Sequence, residues 1–175
     1  TAGNWAPNGL PSAGADLLFD NSYVGSAQAI ATGQNRSVRS LSFDAPFSYT
    51  VSGNTITFDN GGVQGFSGID VSQTRGAADH TVSSDLALAN NATFRNGSSG
   101  RLSLDGNIAL GSQRLTVDGS GLVEASGILS GSGSLLKEGS GTLSLSGAST
   151  YTGGTSLRNG TIEVGNDSAL GTGTV

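Results

Sequence analysis

The sequence contains no cysteine and no methionine, and it has a single histidine, His80, in 175 residues. The absence of cysteine excludes disulfides and zinc–thiolate sites, and one histidine would leave a zinc ion to carboxylates, which rarely hold it alone. We therefore expect no metal and no cofactor. A chain without thiols is also suited to passage through an oxidising periplasm.

Charge is scarce too. Charged residues make up 12% of the chain, the net charge is −5 at pH 7, and the few arginines are scattered. Because nucleic acids and anionic membranes are bound by clustered basic residues, we expect neither as a partner. No apolar run approaches the roughly 18 residues that span a membrane. The chain starts at Thr1 with no methionine or signal peptide, so we expect a processed or excised piece.

Glycine, in contrast, is abundant, with 29 residues. The glycines separate short runs in which polar and apolar residues alternate, which is the period of a half-buried strand. The clearest runs are Leu143–Leu145, Thr155–Leu157 and Ile162–Val164. A hydrophobic fraction of 35%, arranged in regular pairs, argues against disorder. The pattern predicts all-β structure with many tight turns.

The spacing of the apolar pairs predicts the architecture. From Leu86 onward, every third pair falls about 20 residues further on. Three short strands per coil indicate a parallel β-helix, or β-solenoid, of roughly eight coils of about 20 residues. A β-sandwich is the alternative, although it favours longer strands and less even glycine spacing. The pairs predicted to stack on one face are Leu102/Leu104, Leu122/Val123, Leu143/Leu145 and Ile162/Val164, and we also expect Leu115 and Val117 to point inward.

Strands are less regular towards the N-terminus. Val38–Phe43 alternates as one strand, and two runs between residues 48 and 58 flank a turn at Gly53. We interpret these two runs as successive faces of one coil, with a β-hairpin as the competing structure. Residues 59–79 are glycine-rich, and we expect a loop that bulges out around a short strand at Ile69–Val71.

One segment resembles a known family. The residues Lys137–Thr155, with Asn159–Val164 and Ala169–Val175, are similar to the autotransporter-associated β-strand repeat, also called the passenger-associated transport repeat. We place the repeat at residues 135–175, and a looser likeness covers Asn4, Trp5, Pro11 and Asp16–Phe19. The resemblance implies a right-handed parallel β-helix exported through the periplasm to the bacterial surface or the extracellular space. It also implies a structural unit.

Residues that could support catalysis are few. His80 follows Asp79, but sequence neighbours on a strand point to opposite faces, so we interpret His80 as a surface or loop residue. A polysaccharide-cleaving β-helix would need clustered carboxylates and a basic residue, and an incidental calcium site would need several carboxylates. The candidates for catalysis are Arg101, Asp105, Arg114, Asp118 and Glu124, and those for calcium are Asp59, Asp70, Asp105 and Asp118. They are spread over several coils, and we predict a protein that is not an enzyme.

Two regions are candidates for contact with other molecules. We interpret residues 1–20 as a cap or docking segment on a solenoid formed by residues 21–175, because the first coil of a solenoid needs cover. The sequence stops in mid-motif, which predicts end-to-end contact with identical chains or adjacent repeat modules. The assembly candidates are Trp5, Leu10, Leu17, Phe19, Leu170 and Val175. The alternative is an adhesive loop at 59–79 that binds a carbohydrate or a host surface through Phe66, Asp70 and Arg75.

Overall fold

A computed structural model describes residues 15–20, 28–62, 65–71 and 77–175, and these wind into a β-solenoid of about six turns. The first three coils contain β1 (Asp16–Asp20), β2 (Gln28–Thr32), β3 (Arg36–Val38), β4 (Ser40–Asp44), β5 (Tyr49–Gly53), β6 (Ile56–Phe58), β7 (Gly68–Val71), β8 (His80–Val82) and β9 (Leu86–Leu88). The later coils contain β10 (Ala92–Asn96), β11 (Arg101–Leu104), β12 (Ile108–Gly111), β13 (Arg114–Asp118), β14 (Leu122–Ala125), β15 (Leu129–Gly131), β16 (Ser134–Lys137), β17 (Thr142–Leu145), β18 (Thr155–Leu157) and β19 (Thr161–Val164).

The strands form three flat faces. Face 1 has seven strands in the order β1-β4-β7-β10-β13-β16-β18, and face 2 has seven in the order β2-β5-β8-β11-β14-β17-β19. Face 3 has five strands in the order β3-β6-β9-β12-β15. Each strand is parallel to its neighbour in the next coil. The predicted parallel solenoid is confirmed, and its right-handed sense stays a prediction.

The N-terminal strands are shorter than the sequence suggested. The predicted Val38–Phe43 strand is divided at Arg39, where the chain turns from face 3 to face 1. The runs on either side of Gly53 lie on faces 2 and 3, so the interpretation as successive faces is confirmed and the hairpin is wrong. Ile69–Val71 belongs to β7, which is paired on both sides within face 1 rather than carried on a bulging loop.

Inward side chains stack in columns from coil to coil. One column on face 1 runs through Leu41, Ile69, Phe94 and Val117, all 2% exposed or less. Alternation of side chains along each strand places the neighbours of these residues outside. Burial of aliphatic and aromatic side chains, worth about 1.5–3 kcal/mol each before entropy, stabilises the rod along its whole axis.

The coils have unequal lengths, so the expected count of eight is wrong. Paired residues on face 1 are separated by 24 residues (Leu17 to Leu41), 28 (Leu41 to Ile69), 25 (to Phe94) and 23 (to Val117). Only the last two intervals, to Lys137 and to Leu157, are 20 residues. The expectation of eight coils assumed that the C-terminal period of 20 residues holds along the whole chain. The earlier coils are longer because their connections between faces are longer.

The interior changes character along the rod. The first coils are filled by aromatic rings, with Phe19 stacked on Phe43 at 5.0 Å between centroids and Phe58 edge-on to Phe94 at 5.3 Å. The later coils are filled mainly by leucine, valine and alanine. Because protein interiors are close-packed, the larger side chains indicate a wider cross-section in the first coils.

Most of the predicted inward residues are buried. Leu102, Leu104, Leu115, Val117, Leu143 and Leu145 are each 2% exposed or less. On β14 the inward pair is Val123 and Ala125, because Leu102 is in register with Val123, and Leu122 is therefore only partly buried. Ile162 is partly buried and Val164 is exposed, so the prediction for Val164 is wrong.

Candidate functional site

The C-terminal end of the rod is an open coil. Within the described residues, β18 ends face 1 and β19 ends face 2, and neither has a strand on its outer side. Leu157 is 53% exposed and Val164 is 52% exposed. An open sheet edge presents unpaired backbone N–H and C=O groups to any strand that can pair with it. We call this surface, defined by Leu157, Ile162, Val164 and Val175, the open end.

The exposed side chains of the open end occupy inward positions. Leu157 is in register with Lys137, which is in register with the buried Val117. Val164 is in register with Leu145, which is 1% exposed. Both side chains therefore belong to inward columns and are exposed because no described coil lies beyond them. This is the physical reason that the burial of Val164 was predicted wrongly.

Val175 starts the next turn of face 1. The N–H of Leu135 donates to the carbonyl of Gly154 at 3.0 Å, and the N–H of Thr155 donates to the carbonyl of Thr174 at 2.8 Å. The two bonds are related by the 20-residue period, which places Val175 above Thr155 as Thr155 lies above Leu135. The Val175 side chain is 78% exposed.

Leu170 has a different environment from Val175. It is partly buried and packs against the core, and its carbonyl accepts a hydrogen bond from Thr155 Oγ1 at 3.4 Å. Thr155 is also bonded to the hydroxyl of Tyr151, which fills the interior below and is fully buried. Leu170 thus stabilises the last coil by packing against the core and by its hydrogen bond with Thr155 of β18.

The opposite end contains the other assembly candidates. Leu17 is partly buried against the core and Phe19 is 6% exposed, and both belong to β1, so residues 16–20 of the expected cap are part of face 1. Trp5 and Leu10 lie outside the described residues. The structure therefore places Leu17 and Phe19 at one end of the rod and Leu170 and Val175 at the other.

The three candidate loop residues do not form a described cluster. Phe66 is 37% exposed, Arg75 lies outside the described residues, and Asp70 is on β7 opposite Arg95 of the next coil. Burial raises the pKa of the Asp70 carboxyl, with an opposing effect from Arg95. Asp70 is part of β7, which pairs with a strand of each neighbouring coil, so it belongs to the solenoid and not to a separate loop.

Three of the side chains considered for catalysis, those of Arg101, Asp118 and Glu124, lie on outer faces in ion pairs. Arg101 on face 2 lies 3.2 Å from Glu124 and 3.5 Å from Asp79, measured between side-chain nitrogen and oxygen. Arg95 on face 1 lies 3.2 Å from Asp118. Each pair joins neighbouring coils on one face, and the Arg101 group and the Arg95 pair lie on different faces.

The remaining charged candidates also lie at coil junctions. Asp105 accepts a long 3.5 Å contact from Ser126, and the backbone N–H of Arg114 donates to Asn91 of the coil before it. Asp59 accepts from the N–H of Gly61 in a local turn. In the described part of the chain, no three His, Asp or Glu side chains come together as a metal site would require.

His80 is buried, so its interpretation as a surface residue is wrong. It is 2% exposed, stacks on Phe43 with centroids 4.8 Å apart, and accepts a hydrogen bond at Nδ1 from the N–H of Tyr49 at 3.2 Å. Asp79 is on the outer side, paired with Arg101, so the two residues form no relay. The alternation His80-Thr81-Val82, with Val82 inward, was the signal that could have placed His80 inside.

Lys137 is the polar interior residue that the sequence reasoning missed. It is 1% exposed and occupies the inward column between Val117 and Leu157. Its Nζ donates to the carbonyls of Glu138 and Gly139, at 2.9 Å for Gly139. Burial lowers the pKa of the Lys137 amine. The aliphatic part of the side chain therefore packs in the core, while the ammonium group stabilises the corner at Glu138 and Gly139 by hydrogen bonds.

Comparison with known families agrees with this arrangement. The family model of the passenger-associated-transport-repeat matches residues 135–164, which correspond to β16 through β19 and include the inward Lys137 and the open-end residues Leu157, Ile162 and Val164. Residues 135–164 are a passenger-associated transport repeat. The repeat implies export to the cell surface or the extracellular space and fits a module of an autotransporter passenger. It stops short of the predicted limit at residue 175.

No curated protein and no solved structure matches the chain. Among the described residues, no helix is long and apolar enough to cross a membrane. The repeat is therefore the finding that connects this solenoid to a known class of proteins. The matched residues lie at the C-terminal end of the described rod, where Leu157 and Val164 are exposed.

Proposed function

We propose that this chain is a non-enzymatic structural module of an exported surface or extracellular protein, a rigid solenoid that stacks end to end with neighbouring modules or chains into a rod or fibre. The observation that supports this function is the open end. Its inward residues Leu157, Val164 and Val175 are exposed, whereas the residues in register with them in the preceding coil, Lys137, Leu145 and Thr155, are buried.

The backbone supplies the rest of the contact. Every described coil hydrogen-bonds to the next through parallel ladders, and the outer edges of β18 and β19 repeat the same pattern of donors and acceptors. A docked coil would bury Leu157 and Val164 and would pair those edges. Stability in such an array grows with the number of coils, because each coil is stabilised by its neighbours.

The test is the assembly state of the purified 175-residue chain, measured by light scattering and electron microscopy over a range of concentrations. We expect concentration-dependent end-to-end species. The double variant Leu157→Asp with Val164→Asp should abolish them, since a carboxylate at either inward position would be buried without a partner. Both side chains are exposed in the single chain, so the fold should be unaffected.

Ile128 provides the matched control. It is 42% exposed and lies at a corner on the flank of the rod, where its side chain faces no open coil. Ile128→Asp removes a similar exposed apolar side chain and should leave assembly unchanged. A chain that stays monomeric at all concentrations, and that gains no order at β18 and β19 when a neighbouring module is attached, would refute the proposed function.

A further inference from the structure

Outward residues on face 1 form a charged column. Arg95 is in register with Asp70 of the preceding coil and with Asp118 of the following coil. Its side chain lies 3.2 Å from the Asp118 carboxylate. Paired positions on neighbouring strands lie about 4.8 Å apart, so Arg95 has a carboxylate in register on either side, and it forms an ion pair with that of Asp118.

The column continues to the open end. The N–H of Glu138 donates to the carbonyl of Val117 at 2.8 Å, and the N–H of Arg158 donates to the carbonyl of Lys137 at 2.9 Å. These bonds place Glu138 beside Asp118 and Arg158 beside Glu138. The Arg158 guanidinium lies 2.7 Å from the Glu138 carboxylate. The order along the column is therefore Asp70, Arg95, Asp118, Glu138, Arg158.

Within the described part of the chain, Arg158 has a carboxylate on only one side, whereas Arg95 and Arg101 have carboxylates on both sides. Arg95 has Asp70 and Asp118 on its two sides, and Arg101 on face 2 lies between Asp79 and Glu124. Among the described residues, Arg158 pairs with Glu138 of the preceding coil, and its side chain is 69% exposed. The open side of Arg158 is next to Leu157, whose inward column is also open.

We propose that the open end accepts a parallel 20-residue coil of a neighbouring module that places an apolar residue over Leu157 and a carboxylate over Arg158. This inference rests on the proposed end-to-end function and adds the chemistry of the partner. A slip by one residue would put the carboxylate into the apolar interior, so the pair selects the register as well as the partner.

The chain contains this pattern in its own face-1 strands. Ile69-Asp70 and Val117-Asp118 each have an inward apolar residue followed by an outward carboxylate, and Lys137-Glu138 has a lysine at the inward position. The first described strand, β1, does not: with Leu17 in the column of Leu157, Leu18 would lie over Arg158. A coil of an adjacent module is therefore a better partner than the first described coil of a second copy.

The experiment extends the chain by one coil. Val175 occupies the place of Leu115 in its column, so a copy of residues 116–134 attached after Val175 continues the register and sets the copy of Asp118 over Arg158. Hydrogen exchange at the amides of residues 155–164 reports docking. We expect the extension to slow their exchange strongly, and substitution of the copied Asp118 by Lys to make exchange faster again, by about fivefold.

Three controls isolate the charge pair. In about 1 M salt the difference between the Asp and Lys extensions should shrink, because exposed charges are screened. In the Arg158→Gln background the preference for Asp should disappear. The copied Glu124 lies over Glu163 on face 2, because Glu124, Ser144 and Glu163 share a column. Its substitution by Lys makes the same change of charge but replaces a repulsive pair by an attractive one, so it should slow exchange further.

The outcomes separate the two proposals. If the Asp and Lys extensions both dock and slow hydrogen exchange equally, the proposed requirement for a carboxylate over Arg158 is overturned. The proposed end-to-end function is then unaffected. No protection by any extension would contradict the proposed function itself. The requirement for a carboxylate would also be overturned if the unextended chain assembled through its own first coil and Arg158→Gln left that assembly unchanged.

Discussion

His80 and Tyr49 are joined inside the rod, where the backbone N–H of Tyr49 donates to Nδ1 of the imidazole at 3.2 Å. An Nδ1 that accepts this bond carries no proton, so the ring is neutral with its hydrogen on Nε2. Phe43 stacks on the imidazole, and Asp79 is the charged group whose field acts on it, from the outer side of the strand. Burial lowers the pKa of His80 to about 4, with Asp79 opposing the shift.

The first prediction is a loss of stability in mild acid. Because the folded-state pKa is below the unfolded value of 6.5, the unfolded chain binds the proton first as the pH falls. The contribution of the neutral His80 to the free energy of unfolding should be fully present above pH 6.5. The free energy of unfolding should then fall between pH 6.5 and about 4, by roughly 2–3 kcal/mol. Urea unfolding followed by circular dichroism at pH 7.5 and 4.5 measures the change.

The variant His80→Leu provides the control for the pH prediction. It should be less stable at pH 7.5, since the Tyr49 N–H loses its acceptor, but most of the pH dependence over this window should disappear. Asp70, whose pKa is raised by burial, remains in the variant and acts in the opposite direction. An unchanged pH dependence in His80→Leu would show that other groups cause the acid sensitivity.

The second prediction concerns a corner where glycines stack. A Cβ built at Gly127 would lie 2.1 Å from the carbonyl oxygen of Gly106, and one at Gly147 would lie 2.1 Å from that of Gly127. Gly127→Ala should therefore force the backbone of two coils apart and cost about 1–3 kcal/mol in the free energy of unfolding. Gly33→Ala is the matched change, because a Cβ there meets nothing within 4 Å. Equal stability of the two variants would contradict the close contact.

The third prediction compares two neighbouring residues of β10. Phe94 is fully buried between Ile69 and Val117, whereas Arg95 is on the outer face. Phe94→Ala should cost about 3–5 kcal/mol, through lost burial and the cavity left behind. Arg95→Ala should cost less than about 1 kcal/mol, since its ion pair with Asp118 is exposed. Similar losses for both variants in urea unfolding would show that the assigned orientation of β10 is wrong.

The sequence predicted the solenoid best where its period is strict. On face 1 the paired residues from Val117 to Leu157 are 20 apart, and the strands β17, β18 and β19 appear where the alternation placed them. Before Val117 the coils vary in length, and no local pattern shows how many residues a corner will hold. The same limit explains why Arg39 was not recognised as a corner.

The open end was predicted in part. Exposed Val175 and the apolar character of Leu157 could be inferred from the pattern, whereas the exposure of Val164 depends on the absence of a coil above it, which alternation does not encode. The burial of His80 and Lys137 was missed because both are polar. Their position within an alternating run predicted their orientation better than their chemistry did.

The unequal coil lengths limit how such a rod can be lengthened. Between Val117 and Leu157, a segment of twenty residues can be inserted or removed, and every remaining inward side chain keeps its column. A change of another length keeps the columns only where a corner absorbs the difference, as it does between β17 and β19, whose paired residues Leu145 and Val164 are 19 apart. The aromatic coils before Val117 differ in both length and filling, so no two of them are interchangeable. Growth by duplication is therefore open only to the part of the rod that carries the twenty-residue period, which is also the part next to the open end.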